Sequence, residues 1–358
     1  MMKPQKKVRG GLEVSIRKRL DDFTLEVSFS GTTGVLGLLG ASGCGKSMTL
    51  KCIAGVERPD EGRIALNGRT LYDSRARINL PPQKRRVGYL FQDYALFPDM
   101  TVFRNVLCGA RTRDRAEAYI KRFALEAVRD RYPAQLSGGE KQRAALARML
   151  AARPEAILLD EPFSALDNHL KARLEREVMS MLDGFDGPVV FVSHDRNEVY
   201  RLTDTIAVLD RGKMVDISEK HALFRAPKTL AATLLTGCKN VTRLRRMADG
   251  SYEALDWGIR LKPPRQPLRE YRYAAFRAHD AVPTSMQEEE NVLDCELFRE
   301  IEDAFSIVVQ FYEKGNANRT ENALMTYETD KATWQTFKEN GDPLRLRIPE
   351  DAVIWLEK

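Results

Sequence analysis

Hydrophobic and polar positions follow two different patterns along the chain. As far as about residue 235, short apolar runs alternate with stretches of helical spacing, which is typical of strands joined by crossover helices. Three of these runs have the length of buried strands, and each is followed by glycine or polar residues: Val35 to Leu39, Ala156 to Leu159 and Val189 to Val192. The pattern predicts an α/β domain built around a parallel sheet.

Helical spacing dominates between Gln92 and Arg153. Apolar residues recur there three or four positions apart, for example at Ala116, Ile120 and Phe123. This spacing places them on one face of a helix. We therefore expect a helical subdomain over about residues 93–153, inserted beside the sheet.

The pattern of hydrophobic and polar residues changes after about residue 236. Short runs, broken by Gly, Pro, Asn and Asp, replace the helical spacing at Tyr271 to Phe276, Phe305 to Tyr312, Leu344 to Ile348 and Ala352 to Leu356. Such runs predict a small, mostly-β domain. The predicted domains are residues 1–235 and 236–358.

Composition narrows the function classes. Hydrophobic residues make up 43% of the chain and charged residues 30%, as in ordinary globular proteins. No apolar stretch has the length of a membrane-spanning helix, and no apolar signal core follows the basic N-terminus. The 57 basic and 51 acidic residues are interspersed, so no nucleic-acid partner is expected. The five cysteines are scattered without metal-ligand spacing, which favours reduced thiols in the cytoplasm.

A glycine-rich loop follows the predicted strand that ends at Leu39. It matches the pattern G-x-x-x-x-G-K-[ST], in which backbone N–H groups and the start of the next helix bind phosphate. Lys46 is expected to reach the β- and γ-phosphates of ATP, and the Ser47 hydroxyl to bind Mg²⁺. The predicted nucleotide-binding residues here are Gly40, Ala41, Ser42, Gly43, Cys44, Gly45, Lys46, Ser47 and Met48.

Cys44 lies inside this loop, where a small side chain fills a tight turn. A helix N-terminus and a nearby lysine are both expected to lower the pKa of its thiol. Packing in the turn is the favoured role for Cys44, and block of the site by thiol reagents is the alternative.

Two carboxylates directly follow the apolar run that ends at Leu159. Asp160 is suited to bind Mg²⁺ through its water shell, and Glu161 to polarise the attacking water as a general base. Adjacent acids at the end of a strand are weak evidence alone, but together with the phosphate loop they predict nucleotide hydrolysis.

A third motif carries a family resemblance. The stretch Leu136-Ser137-Gly138-Gly139-Glu140-Lys141-Gln142-Arg143 resembles the signature motif of ABC transporter ATPases, which few other phosphate-loop proteins share. The implied fold is an α/β P-loop NTPase with a helical subdomain, followed by the small β domain. The resemblance also implies a head-to-tail homodimer that holds two ATP molecules. In it, Ser137, Gly138 and Gly139 contact the γ-phosphate bound by Lys46 of the other subunit.

Further positions match the family in order. The resemblance implies that Gln92 senses γ-phosphate and Mg²⁺, that His194 holds γ-phosphate and orients water, and that residues 164–167 cross the dimer interface. Phe23 stands where family members stack an aromatic ring on adenine, although core packing explains it equally well. The predicted catalytic residues are Lys46, Gln92, Glu161 and His194, and the predicted metal ligands are Ser47, Gln92 and Asp160.

Partners follow from the same resemblance. Apolar residues surround Gln92, and the resemblance implies that part of them line a groove for a short helix of a membrane permease: Phe91, Tyr94, Leu96, Phe97, Met100 and Val102. Exporters of this class usually fuse the ATPase to membrane helices, and none is present, so an importer is expected. The protein is then peripheral on the cytoplasmic face of the cell membrane.

The solute is suggested by weaker matches. Residues 67–74 and 80–89 resemble molybdate-transporter ATPases, and the last third resembles their oxyanion-associated β domain. Thr236, Lys239 and Asn240 offer hydroxyl, ammonium and amide donors suited to a tetrahedral dianion, although an ordinary linker turn has the same composition. The resemblance therefore favours molybdate as solute, and an oxyanion ligand for the C-terminal domain.

Several alternatives stay open. Sulfate and tungstate have the shape and charge of molybdate, and the ATPase motifs alone also allow import of iron, polyamines or carbohydrate. A soluble ABC ATPase without a transport role is a further alternative. The C-terminal domain, finally, could serve dimerisation alone.

Overall fold

The chain divides into two compact units. The computed structural model describes residues 11–31, 34–164, 168–182, 184–263, 270–284, 291–341 and 343–357. The units are Met1–Lys220 and His221–Lys358. The second unit thus begins before residue 236, where the sequence analysis starts the C-terminal domain.

An 11-stranded sheet forms the first unit. Its strands are β1 Leu12–Arg19, β2 Thr24–Gly31, β3 Val35–Gly40, β4 Glu61–Leu66, β5 Arg69–Asp73, β6 Ile78–Asn79, β7 Val87–Leu90, β8 Ala156–Asp160, β9 Val189–Val192, β10 Thr205–Asp210 and β11 Lys213–Glu219. They lie in the order β6-β5-β4-β1-β2-β11-β10-β3-β9-β8-β7. The run from β10 to β7 is parallel, and the pairs among β1, β2, β4, β5 and β6 are antiparallel.

Helices accompany this sheet. They are α1 Lys46–Ala54, α2 Pro82–Arg85, α3 Val102–Ala110, α4 Arg113–Arg122, α5 Gly138–Ala151, α6 Asn168–Leu182 and α7 Arg196–Leu202, and α8 Lys220–Arg225 begins at the last residue of the unit. Short 3-10 turns span Glu126–Val128 and Pro133–Gln135. The predicted helical subdomain corresponds to α3, α4 and α5, which pack on one another.

The parallel strands are positioned by burial on both faces. Every residue of β8 and of β9 is buried, which matches their continuous apolar sequences. By contrast β1 buries alternate residues, so it covers the core with one face only. Because parallel strands end at the same edge of a sheet, the segments after β3, β8 and β9 converge there.

A buried arginine holds the far end of α1. The Arg85 guanidinium is fully buried and donates hydrogen bonds of 2.8 and 2.9 Å to the carbonyls of Cys52 and Ile53. These carbonyls belong to the last turn of α1, beyond which the regular helical N–H donors end, and Cys52 O also accepts a bond of 3.3 Å from the Gly55 N–H. Gly55 then ends the helix with φ 84°, in the left-handed region.

The second unit contains two five-stranded sheets. Its strands are β12 Asn240–Arg246, β13 Tyr252–Ala254, β14 Ile259–Leu261, β15 Tyr273–Phe276, β16 Val282–Pro283, β17 Val292–Glu302, β18 Ser306–Glu313, β19 Met325–Asp330, β20 Arg345–Arg347 and β21 Ile354–Leu356. Its helices are α9 Leu230–Leu235 and α10 Lys331–Asn340, with 3-10 turns at Glu321–Ala323 and Glu350–Ala352. The sheets follow the orders β14-β13-β12-β15-β21 and β16-β20-β17-β18-β19.

Aromatic and aliphatic side chains from both sheets form one core in this unit. Trp257 packs edge-on against Phe276, with ring centroids 5.1 Å apart, and Phe311 and Leu346 complete the buried cluster. The predicted fold class is thus confirmed: an α/β domain with a helical subdomain precedes a small, mostly-β part. Among the described residues, no helix combines the length and the apolar character that crossing a membrane requires.

Candidate functional site

The phosphate-binding motif forms a loop between β3 and α1, as its sequence predicts. Gly45 caps α1 with φ 106°, and Lys46 begins the helix. The Lys46 side chain is buried and turns back into the loop, where Nζ donates hydrogen bonds of 2.7 and 2.9 Å to the carbonyls of Gly40 and Ala41. The loop is therefore closed around the ammonium group, at the positive end of α1.

Cys44 is buried in the turn, as its small size predicts, but the expected lowering of its thiol pKa was wrong. Its thiol is buried under Gly40, and this burial raises the pKa of Cys44 above its ordinary value, with the positive charge of Lys46 offsetting the effect only in part. Desolvation disfavours the thiolate more than the lysine and the helix end favour it. The buried loop thiol therefore packs the turn, and its raised pKa disfavours the reactive thiolate.

Ser47 and Asp160 meet where α1 begins and β8 ends. Ser47 Oγ donates a hydrogen bond of 2.8 Å to Asp160 Oδ1, and Tyr89 Oη donates another of 2.8 Å to Asp160 Oδ2. An octahedral Mg²⁺ with oxygen ligands at about 2.1 Å places neighbouring ligands about 3 Å apart. The two oxygens thus have the chemistry and the spacing of adjacent magnesium ligands.

Glu161 lies beside His194 and Gln92. Its Oε2 is 3.2 Å from His194 Nδ1 and accepts a long contact of 3.5 Å from Gln92 Nε2. The backbone of Glu161 has φ 44°, a left-handed conformation that non-glycine residues seldom adopt. Its N–H donates to the Val192 carbonyl at 3.0 Å, which fixes the turn against the end of β9.

The signature stretch begins α5. Ser137 is the N-cap and forms a capping box with Glu140, whose carboxylate accepts hydrogen bonds from the Ser137 backbone and hydroxyl. Hydrogen bonds from the Ser137 backbone and hydroxyl hold the pKa of Glu140 below its ordinary value. Farther along, the fully buried Gln142 donates 3.1 Å to the carbonyl of Pro162, next to Glu161. Helix α5 thus begins at the signature motif and contacts the segment that carries Asp160 and Glu161.

Comparison with known proteins supports this arrangement. A model of the ABC transporter family matches residues 24–164. The molybdate/tungstate import ATP-binding protein WtpC of Archaeoglobus fulgidus is 38% identical over 244 residues, which cover 66% of this chain and 99% of that protein. The chain belongs to the ABC transporter family.

Longer members of the family match over the same part. The molybdenum import ATP-binding protein ModC of Paramagnetospirillum magneticum is 41% identical over 222 residues, 60% of this chain and 61% of that protein. The Fe(3+) ions import ATP-binding protein FbpC of Haemophilus influenzae is 41% identical over 221 residues, 59% of this chain and 62% of that protein. The matched part thus spans about three fifths of these two relatives.

Phe23, the predicted adenine contact of this family member, lies next to the phosphate loop. Its ring is half-buried against the core, and a Cβ added at Gly45 would lie 3.5 Å from it. Core packing and proximity to the nucleotide loop therefore coincide at this residue. The predicted interface loop falls mostly on residues 165–167, which lie outside the described residues.

The apolar stretch around Gln92 is only partly core. Tyr94 and Val102 are buried, whereas Phe97 is 47% exposed. Arg148 of α5 stabilises the stretch, since its guanidinium lies 5.1 Å from the Phe97 ring centroid and donates 3.1 Å to the Tyr94 carbonyl. Gln92 itself is exposed beside this surface.

The donor set predicted near residue 236 does not form. Thr236 is buried and donates its hydroxyl proton to the Thr233 carbonyl at 3.1 Å. Asn240 is also buried, and its amide pairs with both the N–H and the carbonyl of Thr326, at 2.7 and 2.8 Å. Of the three predicted donors only Lys239 is exposed; Thr236 is bonded at the end of α9, and Asn240 joins β12 to β19.

Several residues that contact this site were not predicted from the sequence. They are Tyr89, Gln142, Lys171 and Glu198. Each lies within or next to a motif that was recognised, but its partner lies far along the chain. Helical spacing and strand patterns do not reveal such polar contacts.

Proposed function

We propose that this protein is the ATP-binding and ATP-hydrolysing subunit of an ABC importer. The observation that carries the proposal is the convergence of three chain segments at one edge of the sheet, which brings Lys46, Ser47, Asp160, Glu161 and His194 together. Residues 1–235 contain this site. The import ATP-binding relatives share this part of the chain.

Each residue has a distinct proposed role. Lys46 and the loop N–H groups bind the phosphates, and Ser47, Asp160 and Gln92 would hold Mg²⁺. Bound Mg²⁺ neutralises charge that develops on the phosphate oxygens. Glu161 accepts a proton from the attacking water, and His194, in contact with Glu161, orients that water and the γ-phosphate.

The signature residues act across a dimer in this proposal. Ser137, Gly138 and Gly139 lie at the N-terminus of α5, where N–H groups without helical partners bind anions well. In a head-to-tail homodimer they face the ATP held by the other subunit. The exposed apolar surface around Phe97 then accepts a short helix of the permease, on the cytoplasmic face of the membrane.

Molybdate is the proposed solute. The names of two relatives specify molybdenum or molybdate/tungstate import, while that of a third specifies Fe(3+) import, so tungstate, sulfate and iron are the competing solutes. An oxyanion ligand of the C-terminal domain would require donors other than Thr236 and Asn240, because both are buried and bonded within the protein.

Hydrolysis by the purified full chain tests the activity. With Mg²⁺ and ATP it should release phosphate, and Lys46→Ala should reduce this to background. Absence of turnover in the wild type, with ATP shown to bind, would contradict the ATPase assignment. Uptake of labelled molybdate and of labelled sulfate, compared in cells with and without the protein, tests the solute separately.

A further inference from the structure

Among the described side chains, two ion-pair connections join α6 to the N-cap and helix of α7. In the first, Lys171 Nζ lies 2.9 Å from Asp195 Oδ2 and 2.5 Å from Glu198 Oε1. In the second, Arg201 Nη2 lies 2.9 Å from Glu175 Oε1. Both pair a cation with a nearly buried glutamate, since the side chains of Glu198 and Glu175 are 4% and 9% exposed.

Of these two connections, the first reaches the residues on either side of His194. Ser193 Oγ donates a hydrogen bond of 2.6 Å to Glu198 Oε2 and accepts one of 2.9 Å from the Asp195 N–H. Glu198 therefore holds the residue before His194, and Lys171 contacts the residue after it. Within the described part of the chain, the hydrogen bonds of the Glu175–Arg201 pair run between these two side chains and do not reach residues 193–195, so the pair joins the helices without holding the histidine.

The positive charge of Lys171 compensates the two carboxylates of this cluster, those of Glu198 and Asp195. A buried carboxylate is costly unless a cation or several donors compensate it. Burial alone would lower the pKa of Lys171, but its hydrogen bonds to Glu198 and Asp195 raise it above the ordinary value. The ammonium group thus remains charged and keeps both carboxylates in place.

The same cluster borders the proposed reaction site. A cavity of about 160 Å³ is lined by Glu161, Ser164 and His194 together with Lys171 and Glu198. The imidazole is 58% exposed, with Glu161 as its polar contact at 3.2 Å. Its placement therefore depends mainly on the backbone of residues 193–195, which Lys171 and Glu198 hold.

We propose that Lys171 is a positioning residue for His194, which it sets against Glu161 through Glu198, Ser193 and Asp195. This role rests on the proposed ATP hydrolysis, since His194 is the group it places. Lys171 belongs to the first turn of α6, the helix that follows the predicted interface loop. It therefore links the start of that helix to the histidine segment.

A matched pair of variants tests the role. Lys171→Met and Arg201→Met each remove one cation from the contact between α6 and α7 and keep a long apolar stem. Lys171→Met should lower kcat at least tenfold with KM for MgATP within about threefold, whereas Arg201→Met should keep kcat within about threefold. Melting temperatures of both variants measure the shared structural loss. Lys171→Arg retains the charge and should recover most of the turnover.

A second readout does not depend on turnover. The chain has 4 histidines, and the imidazole signals of His194 can be assigned in nitrogen-15 spectra of the full chain by comparison with His194→Gln. Lys171→Met should shift the His194 signals, and Arg201→Met should leave them in place. If wild-type ATPase is absent the proposed function fails, but these spectra still decide the positioning role.

Two results would overturn the inference. One is that both methionine variants lose turnover in proportion to their loss of melting temperature. The other is that the His194 signals are the same in Lys171→Met as in the wild type. If Lys171→Met does not fold, Glu198→Gln removes the same pair without burying an uncompensated carboxylate, and the same outcomes apply to it.

Discussion

His194 Nδ1 lies 3.2 Å from Glu161 Oε2, so the side chains that follow β9 and β8 meet within one subunit. The contact depends on the register of these neighbouring parallel strands, in which Asp160 pairs with Val192. It also depends on the left-handed turn at Glu161, which directs the carboxylate toward the histidine. The proposed general base and the histidine are thus in direct contact within one subunit.

Glu161→Gln tests the proposed base. The amide keeps the size of the side chain but cannot accept the proton from water, so turnover should fall about 100- to 10,000-fold. ATP binding should persist, and an ATP-dependent dimer should become stable enough for light scattering. As a control, Glu155→Gln removes a carboxylate that pairs with Arg69 and Arg86 outside the site and should keep turnover. Wild-type turnover in Glu161→Gln would show that another group is the base.

Mixed subunits test the head-to-tail arrangement. Lys46→Ala and Ser137→Arg should each inactivate both sites of their own homodimer. A heterodimer of the two has one site with both defects and one site with neither, so the mixture should regain part of the ATPase activity. Tagged subunits establish that heterodimers form. If they form and no activity returns, the two residues do not act on a shared site.

Tyr89→Phe should raise the Mg²⁺ requirement. The variant removes one hydrogen bond to Asp160, worth about 1 kcal/mol, so the half-saturating Mg²⁺ concentration should rise about two- to tenfold. Tyr72→Phe is a matched control, because the buried Tyr72 hydroxyl donates 2.7 Å to the Pro59 carbonyl and has no contact with Asp160. Titration of ATPase activity with Mg²⁺ measures both. Equal shifts in the two variants would contradict a role for Tyr89 at the metal site.

Thiol labelling should avoid the phosphate loop. Cys108 is exposed, whereas burial raises the pKa of Cys44, so that less of its thiolate is present at neutral pH. At pH 7.5 a maleimide should modify Cys108 first and leave ATP binding intact, and Cys44 should react faster as pH rises. Peptide mass spectrometry locates the label, with Cys108→Ser as the control. Loss of ATP binding in step with the first label would mean that Cys44 is accessible.

Gly55→Ala should destabilise the first unit more than Gly68→Ala. Both glycines have positive φ, 84° and 78°, so each substitution costs about 1 to 2 kcal/mol of conformational strain. At Gly55 the new Cβ would also lie 2.7 Å from Arg85 Cζ, whereas nothing lies within 4 Å at Gly68. The overlap adds about 1 to 3 kcal/mol. Urea unfolding of the two variants checks the difference, and equal losses would show that Arg85 moves aside freely.

Residues that act as contiguous motifs could be located from the sequence. The phosphate loop, the Asp160–Glu161 pair and the signature helix are each defined within a few positions, and β9 has its predicted bounds. Contacts such as Tyr89 with Asp160 or Lys171 with Glu198 join distant segments, and no local pattern encodes them. The antiparallel strands of the first unit were missed for a related reason, because their pairing order depends on long-range contacts.

Thr236 and Asn240 illustrate the converse error. From the amino-acid sequence alone, their hydroxyl and amide groups have the chemistry of ligand donors. In the fold, the same groups satisfy buried backbone atoms, which is the commoner use of short polar side chains inside a domain. Only burial and hydrogen-bond partners separate the two uses.

The hydrogen bond from Gln142 to Pro162 has a consequence for how the two subunits of a dimer would bind ATP. In the proposed dimer, the first turn of α5 contacts the nucleotide held by the other subunit. Through Gln142, the same helix contacts the Asp160–Glu161 segment, which serves the nucleotide held by its own subunit. Helix α5 is then connected to both ATP-binding sites of the dimer. If this contact couples the two sites, occupancy of either site changes the affinity of the other by the same factor, since coupling between binding sites is reciprocal. Such coupling through the Gln142 side-chain amide would appear as a Hill coefficient different from one for ATP binding.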